Sequence, residues 1–313
     1  MATIVISEFM DEGTIRDRLS RFDVRYDPTL AGKPGELTAA VASARALIVR
    51  NRTQVRVPLL DAAPRLEVIG RLGVGLDNID VEACKSRGIA VYPAVGANEV
   101  SVAEYVIGAI LVLVRGVYHA TADVTASAWP RNKLIGHEIA GKHLGLVGFG
   151  ANARETAKRA RALGMTVSAF DPHVPKEHAA WGAGTGRVDP LTLADLLAAA
   201  DVVSMHVPLT PQTQNLIDGK AIAGMKKGAV FINAARGGIV DEDALVAALK
   251  GGHLAGAALD VFAEEPLSPG RGAFFAQCPN LILTPHIAGV TVESNVRISR
   301  VTAENVRRHL MKA

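Results

Sequence analysis

Four side chains in the later part of the chain, Arg236, Asp260, Glu265 and His286, are of types that move a proton or hold an anion. Arg236 follows the apolar run in GAVFINAARGG. Asp260 closes AGAALDVF with Glu265 shortly after it, and His286 closes LILTPHIAG. In an open parallel sheet, ligands lie beyond the carboxyl ends of the strands. Three such runs would therefore bring a guanidinium, a carboxylate and an imidazole to one edge. Those are the parts that hydride transfer from an alcohol needs. The imidazole takes the hydroxyl proton as hydride leaves carbon, and a carboxylate stabilises the imidazolium that forms. The guanidinium holds a carboxylate and polarises a carbonyl oxygen. Singly, each has a plainer reading, because a histidine after proline is usually a loop residue and an arginine before Gly-Gly is usually solvated. Their joint placement at successive strand ends favours chemistry. His206, in SMHVPLT, reads as a strand cap rather than a reacting group.

Hydride needs an acceptor, and GKHLGLVGFGANARETAKRARALGMTVSAFDP offers a place for one. Residues 144–147 read as a strand. Gly148, Phe149 and Gly150 then open a helix, beginning at Ala151 and Asn152, that runs to Leu163 and stops at Gly164. Glycines in such a turn let the backbone approach a pyrophosphate, and the helix N-terminus adds N–H donors and a positive dipole. The next strand ends at Asp171, about 20 residues past Gly150, where an acid accepts adenosine ribose hydroxyls. A carboxylate there repels a 2′-phosphate, so the expected cofactor is NAD rather than NADP. The third glycine of the fingerprint is replaced by Ala153, an allowed variant where helix and strand pack closely.

The elements that carry these residues recur in two sets. Residues 3–7, 23–26, 46–49, 67–71 and 90–92 read as strands, with helices such as 36–45 and 80–87 between them. The rhythm restarts after residue 140 with HLGLVGFG, TVSAFDP, ADVVSMHVPL, GAVFINAA, AGAALDVF and LILTPH. Strands alternating with helices imply parallel βαβ units. The expected fold class is thus α/β, with two doubly wound parallel-sheet domains, the second a Rossmann dinucleotide-binding domain. NEVSVAEYVIGAILVLVRG, residues 98–116, predicts a buried helix, apolar nearly all round, that bridges the two sets. ESNVRISRVTAENVRRHL predicts a closing helix that returns to the first set. The expected domains are 1–98 with 288–313, and 99–287.

Composition narrows the classes. The chain has 313 residues, 49% of them hydrophobic and only 4% aromatic, which suits aliphatic strands buried on both faces. The net charge of +3 comes without a basic run dense enough to follow a phosphate backbone, so nucleic acid is not an expected partner. MATIVISEFMDEG lacks a basic leader, and the apolar run 105–114 is too short to span a bilayer. A cytoplasmic protein with no membrane association is expected. Cys84 and Cys278 fit no metal spacing, and no metal is expected.

The motifs GRLGVGLDNID, NEVSVAEYVIGAIL, GLVGFG, HVPLT, NAARGGIVDEDAL, ALDVFAEEP and TPHIAG run in order through nearly the whole chain. In them the chain resembles the D-isomer-specific 2-hydroxyacid dehydrogenases, in the branch near phosphoglycerate dehydrogenase. The resemblance implies a flavodoxin-like substrate domain beside the dinucleotide domain. It implies a catalytic set of Arg236, Glu265 and His286, with Asp260 near the nicotinamide. It implies that NAD also meets His206, Val207, Pro208, Thr213, Ala234, Ala235 and Gly289, and that backbone amides around Leu72, Gly73, Val74 and Gly75 hold a substrate carboxylate. A homodimer through the dinucleotide domain is implied as well. Ala151-Asn152-Ala153 departs from the family's usual basic–aliphatic–Gly run, which bears on how the pyrophosphate is gripped. The long phosphoglycerate dehydrogenases continue into a regulatory domain, and no counterpart is expected here.

ALIVRNRTQV raises a further point: Arg50, Asn51 and Arg52 follow an apolar strand with no carboxylate beside them in sequence. The resemblance implies that this strand end lies beside GRLGVG and faces the active site. An extra guanidinium there, at Arg50 or Arg52 with Arg71 near, points to a second anion on the substrate, as in 3-sulfolactate or 3-phosphoglycerate. VRNRTQV together with GRLGVGLDNID is more similar to the sulfolactate-oxidising branch than to the serine-biosynthetic one. The plain alternative is a solvated arginine rim on a hydroxypyruvate or glyoxylate reductase. A more distant one is a nicotinamide-sensing corepressor-like binding protein.

Overall fold

Parallel strands covered on both faces are spelled as unbroken aliphatic runs, and such runs build both sheets of the computed structural model, which describes residues 4–175, 177–182 and 186–312. The chain forms two units, one of Met1–Asn98 with Val290–Ala313 and one of Glu99–Gly289.

The first unit holds β1 (Ile4–Ile6), β2 (Val24–Tyr26), β3 (Ala46–Val49), β4 (Val68–Arg71) and β5 (Ala90–Pro93). They pair in parallel in the order β2-β1-β3-β4-β5. Residue 3, expected to begin the first strand, lies outside the described residues. The strand order reverses at β1, between β2 and β3, which is the flavodoxin-like arrangement and makes the β1/β3 crevice the switch point where ligands bind. One face of the sheet packs Val5, Leu47, Val49 and Ile69 against Leu37, Val41 and Leu60. The other packs Ile4, Ile6, Ile48 and Val68 against Ile298, Val306 and Leu310. The latter three lie on the helix Val292–Leu310, which opens with a capping box between Thr291 and Ser294. The helix expected over 36–45 instead spans Pro34–Val41. Proline sets its first turn, and a turn from the Ala44 amide to the Val41 carbonyl ends it early so that Ala46 can enter β3.

The second unit holds β6 (His143–Val147), β7 (Thr166–Phe170), β8 (Asp189–Pro190), β9 (Val202–Met205), β10 (Val230–Asn233), β11 (Gly256–Leu259) and β12 (Leu281–Leu283). All pairs are parallel, in the order β12-β11-β10-β9-β6-β7-β8. Here the order reverses at β6, the strand that leads into Gly148-Phe149-Gly150. The expected buried helix is Glu99–Arg115, which packs on the helix Ala151–Ala162 and on β10 and β11. It is buried along one side only, for Val100 and Glu104 are exposed. Among the described residues no helix is long and apolar enough to cross a membrane, and no His, Cys, Asp and Glu group is placed to hold a metal. Cys84 and Cys278 are free thiols.

Candidate active site

The strand ends of β10, β11 and β12 are shaped by polar side chains acting on the backbone. At the end of β10 the buried Asn233 accepts the Ala235 amide at 3.0 Å and donates to the Arg236 carbonyl at 2.8 Å, which fixes the course of Ala234, Ala235 and Arg236. Gly237 comes next. A Cβ at this position would stand 1.8 Å from the Phe262 carbonyl oxygen and 2.1 Å from its carbon, so the turn after Arg236 lies directly on the backbone leaving β11. That backbone is fixed in turn: the Phe262 amide donates to Glu265 Oε1 at 3.0 Å and the Ala263 amide to Glu242 Oε1 at 2.7 Å.

His286 sits beyond β12 with φ of 54°, a left-handed conformation rare for a non-glycine residue. Such strain costs about 1–3 kcal/mol and persists only where the surroundings impose it. Asp260 imposes it here. Its backbone carbonyl accepts the His286 amide at 2.8 Å. Its Oδ1 accepts the Thr284 hydroxyl at 2.6 Å and the Ile287 amide at 2.8 Å, and its Oδ2 accepts the Ala288 amide at 2.8 Å. Because Thr284 donates to this carboxylate, its oxygen is left to accept from the Tyr105 hydroxyl 2.7 Å away. The buried Asp260 carboxylate is thus committed to the loop that presents His286 and ends at Gly289.

The His286 Nδ1 lies 2.8 Å from Glu265 Oε2. Burial pushes the Glu265 carboxyl up, but the hydrogen bonds from His286 and the Phe262 amide and the nearby Arg236 charge outweigh it and hold the group below its ordinary value. An ionised carboxylate only accepts, so Nδ1 carries the proton of that bond and Nε2 is left as the atom that takes up or gives a proton. Both side chains keep over a third of their surface open to solvent. The three expected catalytic residues are therefore neighbours: Glu265 bonds His286 and feels the charge of Arg236.

The nucleotide loop is equally specified. Gly148 has φ of 93°, and a Cβ on it would meet the His206 carbonyl oxygen at 2.7 Å and a Val207 methyl at 2.9 Å. By contrast, space is open where a Gly150 Cβ would point. Ala153 is fully buried against the aliphatic core, so its methyl is accommodated in place of the third glycine. Asp171 accepts the Phe149 amide at 2.8 Å through Oδ2 and the His173 amide at 2.9 Å through Oδ1, which ties the loop to the end of β7. A carboxylate offers about four lone-pair sites, so acceptor capacity remains for ribose hydroxyls. Thr213, in the segment after β9, spends its hydroxyl on the Pro208 carbonyl at 2.6 Å. A glycine turn at a switch point, an open approach at Gly150 and a strand-end acid fit a dinucleotide.

His206 has its Nε2 3.0 Å from the Ser204 hydroxyl. Burial pushes its pKa from 6.5 down to about 4, so the ring is neutral at neutral pH. The unfolded chain binds this proton more readily than the folded one. Stability is therefore full above about pH 6.5 and declines as pH falls toward about 4. His206→Gln removes the titrating group, and unfolding free energies from urea titrations between about pH 7 and about pH 4.5 should vary less with pH, by up to about 3 kcal/mol. An unaltered pH dependence would show that this ring is not held neutral by the fold.

In the first unit, the end of β3 does have a carboxylate beside it, from a residue remote in sequence. Glu8, 4% exposed just past β1, accepts the amides of Arg50 at 2.8 Å and Thr53 at 3.0 Å on Oε1, and of Arg52 at 3.0 Å and Asn51 at 3.3 Å on Oε2. The sequence places no acid beside these arginines, and the structure brings one in from Glu8, its partners being backbone amides rather than guanidinium groups. The Arg50 side chain is partly buried, with Nη2 2.8 Å from Asn295 Oδ1. Burial lowers its pKa and the Glu8 charge raises it, the former prevailing. Asn51 and Arg52 are exposed. In the neighbouring loop after β4 the Leu72 amide donates to Val49 and the Gly73 amide to Arg71. The amides of Val74 and Gly75 have no acceptor among the described residues. Arg71 folds its Nη1 back to the Leu72 carbonyl at 2.9 Å.

A nucleotide-binding parallel sheet with an imidazole–carboxylate pair and a guanidinium at adjacent strand ends has the form of an NAD-linked dehydrogenase. Residues 107–288 match the family described as D-isomer specific 2-hydroxyacid dehydrogenase, NAD binding domain. An (S)-sulfolactate dehydrogenase from Chromohalobacter salexigens is 54% identical over 310 residues, covering 99% of this chain and 99% of that protein. A D-3-phosphoglycerate dehydrogenase from Methanocaldococcus jannaschii is 41% identical over 275 residues, 88% of this chain but 51% of that protein, so the chain spans about half of its length. Among solved structures, a D-lactate dehydrogenase from Aquifex aeolicus complexed with NAD and lactic acid is similar with a TM-score of 0.87 at 28% identity, covering 99% of this chain and 96% of that one. The chain belongs to the D-isomer-specific 2-hydroxyacid dehydrogenase family, and its cofactor is NAD.

Proposed function

We propose that the substrate is a small 2-hydroxy acid carrying a second anionic group, with (S)-3-sulfolactate the preferred acid and 3-phosphoglycerate the second. The observation that carries this reading is Arg50, a partly buried guanidinium at the switch point of the first sheet whose side chain has one neutral hydrogen-bond partner, Asn295. Four of its five N–H donors remain for a sulfonate or phosphate. Similarity to a sulfolactate dehydrogenase along nearly the full length of both chains supports sulfonate over phosphate. Arg50, Asn51 and Arg52 then bind the second anion, and the amides of Val74 and Gly75 bind the carboxylate.

NAD, when bound, supplies the hydride acceptor or donor, held by the Gly148–Asn152 turn, Asp171 and the segments at 206–208, 213, 234–235 and 289. His286 takes the C2 hydroxyl proton at Nε2 as the acid is oxidised and returns it to the carbonyl oxygen in reduction. Glu265 holds the ring through Nδ1 and stabilises it while it is charged. Arg236 stabilises negative charge on the C2 oxygen and the carboxylate.

Initial rates of NAD reduction with (S)-3-sulfolactate, D-3-phosphoglycerate, D-glycerate and D-lactate test this. A doubly anionic acid should give the highest kcat/KM, and Arg50→Ala should lower that value about 10- to 100-fold, as expected for a lost charge-assisted hydrogen bond. Equal efficiency with D-lactate would sink the reading in favour of a hydroxypyruvate-type reductase. The corepressor-like alternative predicts no turnover at all.

The exposed side chains Tyr118, Trp129 and Ile135, which are 62, 73 and 78% open, favour a homodimer formed through the second unit. A cytoplasmic location, with neither nucleic acid nor membrane as partner, accords with a dehydrogenase of small acids.

A further inference from the structure

The amide turn at residues 50–53 is built around an anion, and that anion belongs to the chain itself. Four successive backbone N–H groups converge on the Glu8 carboxylate at 2.8 to 3.3 Å. Such a nest of amides is a ready anion site, and here it is filled from within. Thr53 is tied down on both its hydroxyl and its carbonyl. Thr53 Oγ1 lies 2.9 Å from the Ser7 hydroxyl, and the Thr53 carbonyl accepts from Asn78 Nδ2 at 2.7 Å. Ser7 and Glu8 follow β1 while Arg50 follows β3, so the contact stands at the place where the strand order of the first sheet reverses. Among the described residues, Arg50 forms no ion pair.

We infer that Glu8 is a specificity-determining positioning residue, which fixes the 50–53 turn so that the Arg50 guanidinium is presented to the second anion of the substrate. This rests on the reading of Arg50 under the proposed function. Two effects of the carboxylate oppose each other. Its charge repels an incoming anion, while its bonds hold the cation that attracts one. The charge is met by four amide donors and is held ionised by them: burial raises the Glu8 carboxyl, and the amides of Thr53, Arg52 and Arg50 outweigh it. Charge-assisted bonds are about twice as strong as neutral ones. Losing the hold on the turn therefore outweighs the relief of repulsion.

The full-length chain carrying Glu8→Gln tests this, because glutamine keeps the shape but turns an NH2 group toward amides that need an acceptor. KM for (S)-3-sulfolactate should rise about tenfold, a free-energy change near 1.4 kcal/mol, while KM for D-glycerate and kcat for both acids stay within about twofold. In the Glu8→Gln, Arg50→Ala double variant, selectivity should fall no further than in Arg50→Ala alone, because the two residues act as one unit. Equal changes for both acids, no change, or tighter sulfolactate binding would each overturn the inference. If Glu8→Gln does not yield folded protein, Glu8→Asp keeps the charge while shortening its reach, and the same split between the two acids is required. Arg50→Ala separates the two claims. If it leaves selectivity intact, the substrate reading itself fails; if it abolishes selectivity while Glu8→Gln preserves it, only the role of Glu8 fails.

Discussion

His286→Ala is expected to lower kcat by about a thousandfold, within the range that a positioned general acid–base contributes. The imidazole has its Nδ1 committed to Glu265, which leaves Nε2 for the role given to it in the proposed mechanism. The loop itself should survive, because Asp260 holds the amides of residues 286, 287 and 288 rather than the ring. Alanine must still adopt a φ of 54°, so a small loss in thermal stability is expected beside the large loss in rate. Steady-state kinetics with a fluorescence titration of NAD checks this: cofactor affinity should be kept while turnover disappears. Activity within about tenfold of the parent would transfer the proton role to another group.

Gly237→Ala is expected to be comparably damaging by a route that involves no chemistry. The new methyl would lie 1.8 Å from the Phe262 carbonyl oxygen, far inside van der Waals contact with backbone that cannot rotate away. Either the turn after Arg236 or the strand exit at 262–265 must move. The first displaces Arg236, and the second displaces Glu265, whose Oε1 is bonded to the Phe262 amide. The Glu265–His286 pair and the Arg236 guanidinium are thus separated whichever side yields. A loss of at least about a hundredfold in kcat/KM is expected, since misplacing a reacting group by about 1 Å costs that much. Unfolding stability should fall by about 1–3 kcal/mol, the ordinary penalty for overpacking. Full activity in this variant, measured by initial rates and thermal unfolding, would mean that the turn is not held against β11 in solution.

The strand ends were legible because a parallel strand buried on both faces has to be an aliphatic run, and its last residue marks where polar chemistry can begin. The dinucleotide turn was legible for a related reason: Gly148 is demanded by the close His206 carbonyl, and that demand shows as a letter in the sequence. β8, by contrast, is two residues long and has no run to betray it. Glu8 was missed because its partners lie 42 to 45 positions away, brought together only by β1 and β3 pairing side by side. Asn233, Glu242 and Thr284 escaped notice for a similar reason. Each acts on backbone amides, carbonyls or a buried acid that no spacing rule connects to it. The amides of Leu72 and Gly73 are donors within the unit, which no spacing in the sequence reveals. A sequence names the residues of such a loop but does not say which N–H groups stay unspent.

The last helix, Val292–Leu310, covers Ile4, Ile6, Ile48 and Val68 on one face of the first sheet. During synthesis those four aliphatic side chains emerge before the second unit, and their cover is made only after the whole second unit has been translated. Domains tend to fold as units while the chain is being made, yet this one must wait with a bare sheet face until the second unit has been made. The interruption of one unit by the other therefore sets an order of events. The second unit can complete itself first, and the nascent first unit is the stretch that calls for shielding by a chaperone.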